Sequence, residues 1–507
     1  MTAPIQPTST PPAGIPGRTG PFISLRDYLA ALDDAGLLLR IPEFDQDAYE
    51  STAFAYRLIE RRGYNQAPAF RFDRVKIDGV WVDGPVIGGA YSPWLGEALC
   101  FGITGYSSPQ AAYAATHEKV LALRNTQGYP HLAPREIGAD EAPVKQVRIA
   151  GDDVDLTRFP FIQTNPADAG RYINSGCLLL QDPELGAKIS VYRCQLQGPR
   201  RISINPEPGQ GGWRFLQAMK LRGDRVARVV LVLGVDPITY GVAGSAVAVG
   251  EQTELGVAGG LMGQAIPVVR AETSDVVLPA NAEMAIEGEI PLDAMVPEGP
   301  FAEFYGVMGE AKSENFFMDV TAVTHRTEPW FLNSYSGIMR NAIAVPREAT
   351  LVAKYRDRIP GLEAIHVPQQ AAGVHIISID KQTSGQGMAA GQIYAEGEML
   401  AKVVVVVDRE ISPYRLDEVW QALGARWQPY PAATIIRQAP GILLDPSLRE
   451  PPETSKIIID ATPQLPDEQG PAVIPGNSKR LFQDALPDAL AKIDSLLDKY
   501  GVSPRSS

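Results

Sequence analysis

Five consecutive valines, Val403 to Val407, follow Lys402 in this chain. β-Branched side chains favour extended backbone, and a strand without polar alternation has no face to offer water. Such a strand is expected to be buried on both sides, as in a parallel sheet covered by helices. Its surroundings fit: the pattern reads helical over 346–355, 391–399 and 416–423, and extended over 364–367, 373–379 and 434–436. An α/β domain over 329–476 is therefore expected. Beyond it, 477–507 carries an amphipathic, charged helix over 479–500 that reads as a packing or oligomer arm.

At 507 residues the chain exceeds what one core usually supports, so further domains are expected upstream. Residues 1–21, rich in Pro, Thr and Gly, read as a flexible tail without the basic start and apolar core of a signal peptide. From Ser24, which is placed to cap a helix through Asp27, a mixed α/β pattern runs to about residue 140. It comprises helices ending near Gly36, over 51–62 and over 109–123, with strands over 37–41, 69–72 and 86–89. Short strands at turn-punctuated intervals dominate 141–328, the pattern of a barrel-like β domain.

Charge and special residues narrow the function. A formal net charge of -13, spread along the chain, disfavours nucleic acid and anionic membranes as partners. No apolar run approaches the ~20 residues that span a bilayer. Cys100, Cys177 and Cys194 are too few for a disulfide framework, which fits a reducing cytoplasm. Five histidines, at 117, 131, 325, 366 and 375, lack the spacing of paired metal ligands. Serine-hydrolase elbow, P-loop and dinucleotide-binding fingerprints are absent from the sequence. Acid/base work by carboxylates, aided by arginine, remains.

The stretch Pro297-Glu298-Gly299-Pro300-Phe301-Ala302-Glu303-Phe304-Tyr305-Gly306 is the place to look for it. A helix or strand would aim carboxylates five residues apart in different directions, whereas a bent loop can turn both into one cavity. Taken alone, the decamer reads equally well as a solvated surface turn. Upstream, 188–196 alternates with period two, placing Lys188, Ser190 and Tyr192 on one face and Arg193 on the other if the strand is regular. Gly209-Gln210-Gly211-Gly212 then leads into a helix over 213–220, an entry able to cradle a phosphate on backbone N–H groups, or simply to turn the chain.

Taken in order, several segments resemble the UbiD family of reversible decarboxylases, which use prenylated FMN. These are Asp155-Leu156-Thr157-Arg158-Phe159-Pro160, Tyr192-Arg193, Pro267-Val268-Val269-Arg270-Ala271-Glu272-Thr273, Glu283-Met284-Ala285-Ile286-Glu287-Gly288, Glu298 to Glu303, and Ser455-Lys456. The resemblance spans about 22–500. It implies an N-terminal α/β domain, a central split β-barrel of flavin-reductase-like type that binds the cofactor, and a C-terminal α/β domain with a terminal helix. It also implies a Glu-Arg-Glu triad at Arg193, Glu298 and Glu303. In that triad Arg193 holds the substrate carboxylate, Glu298 orients Arg193, and Glu303 donates the proton that replaces CO₂. The reaction implied is decarboxylation of an aromatic, heteroaromatic or α,β-unsaturated carboxylic acid through a covalent adduct with prenylated FMN, a cofactor supplied by a flavin prenyltransferase. A homodimer or larger homo-oligomer in the cytoplasm is expected.

Cofactor contacts are expected from Lys188, Ser190, Tyr192, Gly209, Gln210, Glu254 and Lys402. The family anchors the cofactor phosphate through a divalent ion (Mn) held by Asn, His and Glu, with a monovalent cation such as K nearby. Here the Asn position is Lys188 and the His position falls on Gly209, leaving Glu254 alone. One carboxylate binds a divalent ion poorly. The Lys188 ammonium is therefore expected to take the metal's place between Glu254 and the phosphate; the alternative is a surface lysine at a strand start. Two other functions remain open on the sequence: a flavin-binding carrier or assembly protein without turnover, and a flavin reductase, which NAD(P)H oxidation would reveal.

Overall fold

Ser24 opens the first helix, Leu25–Asp34, as its spacing predicts: the Ser24 hydroxyl accepts from the Asp27 amide at 3.2 Å and donates to the Asp27 carboxylate at 2.8 Å. Leu25, Tyr28, Leu29 and Leu32 form its buried stripe. This computed structural model describes residues 18–449 and 451–468, with 486, 488 and 493. The helix expected over 479–500 and most of the expected tail lie outside the described residues. The chain divides into two units, one of Gly17–Ile103 and Ala115–Thr350, the other containing Thr104–Ala114 and the chain from Leu351.

In the first unit, strands Leu38–Asp45 and Ala69–Ile77 pair in parallel. A hairpin turning at Asp78-Gly79, both with positive φ, adds Val80–Gly88, and Phe331–Asn333 joins its far side. A larger sheet follows the path Val296–Glu298, Lys312–His325, Met284–Pro291, Val226–Leu233, Tyr172–Asp182, Gly186–Gln195. Val147–Ala150 and Arg201–Ile204 also pair with Lys312–His325, giving eight strands. The path does not close on itself. It is an open antiparallel sheet in a mixed α/β fold, coarser than the split barrel expected from the sequence. Phe70 and Phe72 share one continuous core with Leu178, Leu231, Ile286 and Met318, so both sheets bury their apolar faces together.

Two of the segments that carried the resemblance meet in this unit as scaffolding. Glu287, fully buried, accepts from the backbone amides of Glu272 and Thr273 at 2.8 Å and from the Thr273 hydroxyl at 2.9 Å. Glu283, also fully buried, is held by Arg26 through two bonds of 2.8 Å and by the Trp330 amide at 3.0 Å. A buried carboxylate survives only with its oxygens satisfied, and these two knit loops to the central strand Met284–Pro291.

The valine strand sits where its composition requires. Val403–Asp408 is the middle strand of a five-stranded sheet, parallel to Val374–Ile379 on one side and Glu453–Asp460 on the other. Leu362–His366 and Ala433–Pro440 form the two edges, antiparallel to Val374–Ile379 and Glu453–Asp460 respectively. Val405 and Val407 pack with Val419 and Ala422 of helix Leu416–Arg426. On the other face Gly391 of helix Gln386–Gly397 lies against Val406 and Ile458. Each fully buried valine contributes roughly 1.5–3 kcal/mol. The Lys456 ammonium is also buried here, donating at 2.7 Å to the carbonyls of Ala395 and Glu398 at the end of helix Gln386–Gly397. Burial lowers its pKa, and the contact is a helix C-cap rather than a ligand site.

Candidate active site

Strand Gly186–Gln195 builds the site, and its neighbour aims it. Pairing with Tyr172–Asp182 skips from Ile173 opposite Cys194 to Gly176 opposite Tyr192, so Asn174 and Ser175 together face the single residue Arg193. Such a bulge raises the local twist and re-aims the side chain opposite it. Beyond Arg193 the period-two face continues into Gln195 and Gln197. The Gln195 side-chain oxygen accepts from the Gly299 amide at 3.2 Å, and the Gln197 side-chain amide donates to the Pro297 carbonyl at 2.6 Å. One strand face thus carries the arginine and grips the backbone of the loop that supplies both glutamates.

That loop is clamped from its other side. Asp168 accepts from the Ala302 amide at 3.0 Å, and the Ala169 amide donates to the Pro300 carbonyl at 2.9 Å. A tight reversal follows, with the Glu303 amide on the Val307 carbonyl at 2.8 Å and the Gly306 amide on the Glu303 carbonyl at 3.0 Å. Gly309 is required by close approach: a Cβ there would lie 2.8 Å from Glu303 Oε1.

The guanidinium of Arg193 divides its donors between the two glutamates. Nε bonds Glu298 Oε1 at 3.1 Å and Nη2 bonds Glu298 Oε2 at 3.0 Å, a bidentate fork, while Nη1 donates to Glu303 Oε1. Glu298 is fully buried, and the side chains of Arg193 and Glu303 are 9% and 12% exposed. Glu298 is also touched by the Tyr172 hydroxyl at 3.1 Å and by Asn315 at 3.4 Å. Asn315 links through Asn205 to the Glu207–Lys312 pair. Tyr172 packs on Phe301 at 4.3 Å between ring centroids, and the Arg193 guanidinium lies 5.4 Å from the same ring.

Burial decides the protonation bias of Glu303. Desolvation pushes its pKa above the ordinary 4.5, against the opposing pull of Arg193. Arg193 itself stays a firm cation: burial pulls its pKa down, and the two carboxylates more than restore it. An arginine committed by two donors to one carboxylate, with its remaining edge facing a carboxyl that tends to hold its proton, can bind an anion and protonate what replaces it.

On the opposite face of the strand, as the alternation predicts, Lys188 and Tyr192 point toward helix Gly211–Arg222. The Gly212 amide donates to the Tyr192 hydroxyl at 3.0 Å, and the Lys188 ammonium pairs with Glu254, the first residue of helix Glu254–Met262. Ser190 lies between them on this face. Gln210 caps the first of these helices and accepts from the Glu207 amide at 3.0 Å, after Gly209 with its φ of +87°. Among the described residues no group of three or more His, Cys, Asp or Glu side chains is placed to hold a metal ion. The donor set at Glu254 does not suit a divalent ion, because an ammonium has three donors and no acceptor. Lys402 lies in the second unit, bound to Asp445 at 2.9 Å and Ser447 at 2.8 Å.

Tyr172, Asn315, Asp168, Gln195 and Gln197 escaped the sequence reading. Only the alternation Arg193, Gln195, Gln197 gave a usable signal. Tyr172 and Asn315 read simply as strand residues until pairing brought them to Glu298.

Comparison with known proteins gives these groups a context. Residues 135–339 match the family described as the 3-octaprenyl-4-hydroxybenzoate carboxy-lyase Rift-related domain, UbiD, and residues 340–461 match its C-terminal domain. A phenolic acid decarboxylase of Streptomyces sp. (strain D7) is 29% identical over 468 residues, covering 89% of this chain and 94% of that protein. The UbiD-class enzyme HmfF from Pelotomaculum thermopropionicum, in complex with FMN, is 30% identical, with a TM-score of 0.74 over 91% of this chain and 100% of that one. An evolved dimeric form of HmfF in complex with prFMN is 28% identical, also with a TM-score of 0.74, over 92% and 100%. No helix among the described residues is long and apolar enough to cross a membrane. With both family domains matched in order and a 30% identical relative covered along its whole length, the chain belongs to the UbiD family of carboxy-lyases.

Proposed function

We propose that the protein catalyses non-oxidative decarboxylation of an aromatic, heteroaromatic or α,β-unsaturated carboxylic acid, phenolic acids foremost, with prenylated FMN supplied by a flavin prenyltransferase. The phenolic acid decarboxylases among its relatives and the prFMN held by HmfF support that choice. The observation that carries it is the Arg193 guanidinium, forked onto Glu298 with Nη1 turned to Glu303. The flavin end of the reading is supported by the way Gly211 and Gly212, lacking side chains, let helix Gly211–Arg222 begin in close contact with Lys188 and Tyr192. When bound, prenylated FMN supplies an electrophilic carbon for covalent capture of the substrate and a sink for the electron pair left by CO₂.

Substrate carboxylate and Glu303 compete for one edge of Arg193. Glu298 keeps Nε and Nη2, so an arriving carboxylate takes Nη1 and displaces Glu303. Released from its cation, Glu303 loses the interaction that had favoured its charged form. Burial, which already raises its pKa, then favours the protonated carboxyl. After the C–C bond to the carboxylate breaks, Glu303 gives that proton to the carbon that bore it and regains one from water. The balance is one carboxylate and one proton in, one CO₂ and one C–H product out. The direct test is co-expression with a flavin prenyltransferase followed by a screen of phenolic and heteroaromatic acids for CO₂ release. Release from none of them by prenyl-FMN-loaded protein overturns the reading.

A further inference from the structure

We propose that this chain anchors its flavin phosphate on the Lys188 ammonium in place of a divalent metal, so that flavin binding is metal-independent. The inference rests on the flavin reading above and deepens it: the ligand group is a phosphate monoester.

Three structural elements converge on Lys188. Strand Gly186–Gln195 presents it, Gly211 begins helix Gly211–Arg222 against its stem, and Glu254 begins helix Glu254–Met262 at its tip. Each helix N-terminus carries about half a positive charge. Two such ends and one ammonium, less the Glu254 carboxylate, leave about one positive charge for a phosphate dianion.

Gly211 is fitted to the lysine. A Cβ at 211 would stand 2.4 Å from Lys188 Cε and 3.3 Å from its Nζ, so the long side chain occupies the space that a side chain at 211 would need. The Gly212 amide, bonded to Tyr192 two turns of the alternation further along the same strand, fixes the helix start there. Glu254 is buried and takes one of the three ammonium donors; the Lys188 side chain stays 24% exposed, leaving donors on its open side for an anion. A divalent ion at this point would meet one carboxylate and a fixed cation, the reverse of what it requires.

The test uses full-length protein purified without prenyltransferase, titrated with FMN and with riboflavin by flavin fluorescence, after EDTA dialysis and again with added Mn²⁺. Bound metal is measured in the same samples by mass spectrometry. FMN affinity is expected to be the same with and without Mn²⁺, with metal well below one ion per chain. Lys188→Met is expected to weaken FMN roughly 10–100-fold, as loss of a charge-assisted hydrogen bond does, and to leave riboflavin unchanged. Because that variant strands Glu254, the double variant Lys188→Met/Glu254→Gln is measured beside it and is expected to show the same loss of FMN preference. Gly211→Ala, which displaces the lysine stem, is expected to weaken FMN in the same sense. A stoichiometric divalent ion whose removal releases FMN overturns the anchor alone, as does an unchanged FMN-to-riboflavin ratio in both Lys188 variants. Failure of the parent protein to bind either flavin overturns the flavin reading, and the anchor with it.

Discussion

Arg193 grips Glu298 with two parallel hydrogen bonds, Nε at 3.1 Å and Nη2 at 3.0 Å, and so leaves one edge, Nη1, for Glu303 and whatever competes with it. A planar fork does this and a point charge does not. Arg193→Lys is therefore expected to keep the charge and lose the geometry, lowering kcat/KM about 10²–10³-fold, the scale of one preorganised donor. Steady-state kinetics with matched flavin loading measures it. Near-parental activity in that variant contradicts the assigned division of donors.

Glu303 sets a pH limit. Its pKa is raised above 4.5 by burial, and the proton it delivers must be present, so decarboxylation is expected to fall as pH rises through that elevated value. The stability sign is the same. The folded state holds this proton more tightly than the unfolded one, so stability falls between the unfolded and folded pKa values and stays lowered above them. Glu303→Gln is accordingly expected to melt no lower than the parent at pH 8, with any gain shrinking toward pH 5. Thermal melts at the two pH values check this.

Glu97 should matter to folding alone. Fully buried, with its pKa raised by burial, it holds Arg340 at 2.6 Å and accepts from the Ala344 and Val345 amides at 2.8 and 2.7 Å, at the start of helix Val345–Tyr355. Glu97→Ala leaves a buried arginine and two amides without this partner, at a cost of about 3–5 kcal/mol. Denaturant unfolding measures the loss.

The features legible in the sequence were those with a local signature. Val403–Asp408 declared its burial by lacking any polar alternation, and Ser24 declared a helix start by its spacing to Asp27. Arg193, Glu298 and Glu303 were named in sequence, and the structure brings them together. What stayed hidden depends on register. The extra residue opposite Arg193 lies in the partner strand, and Tyr172 and Asn315 reach Glu298 only once three strands are aligned. Gly211 gave no sign that its missing side chain makes room for Lys188, a relation between residues 23 positions apart with no periodicity to reveal it.

The central claim is that Glu303 protonates the carbon that loses CO₂. Prenyl-FMN-loaded parent and Glu303→Gln proteins, given a substrate acid in D₂O, report it through CO₂ release and mass spectrometry of the product. The parent is expected to release one CO₂ per product molecule carrying one deuterium at the vacated carbon. Glu303→Gln is expected to retain its flavin and form no product. Undiminished turnover in Glu303→Gln would contradict the account.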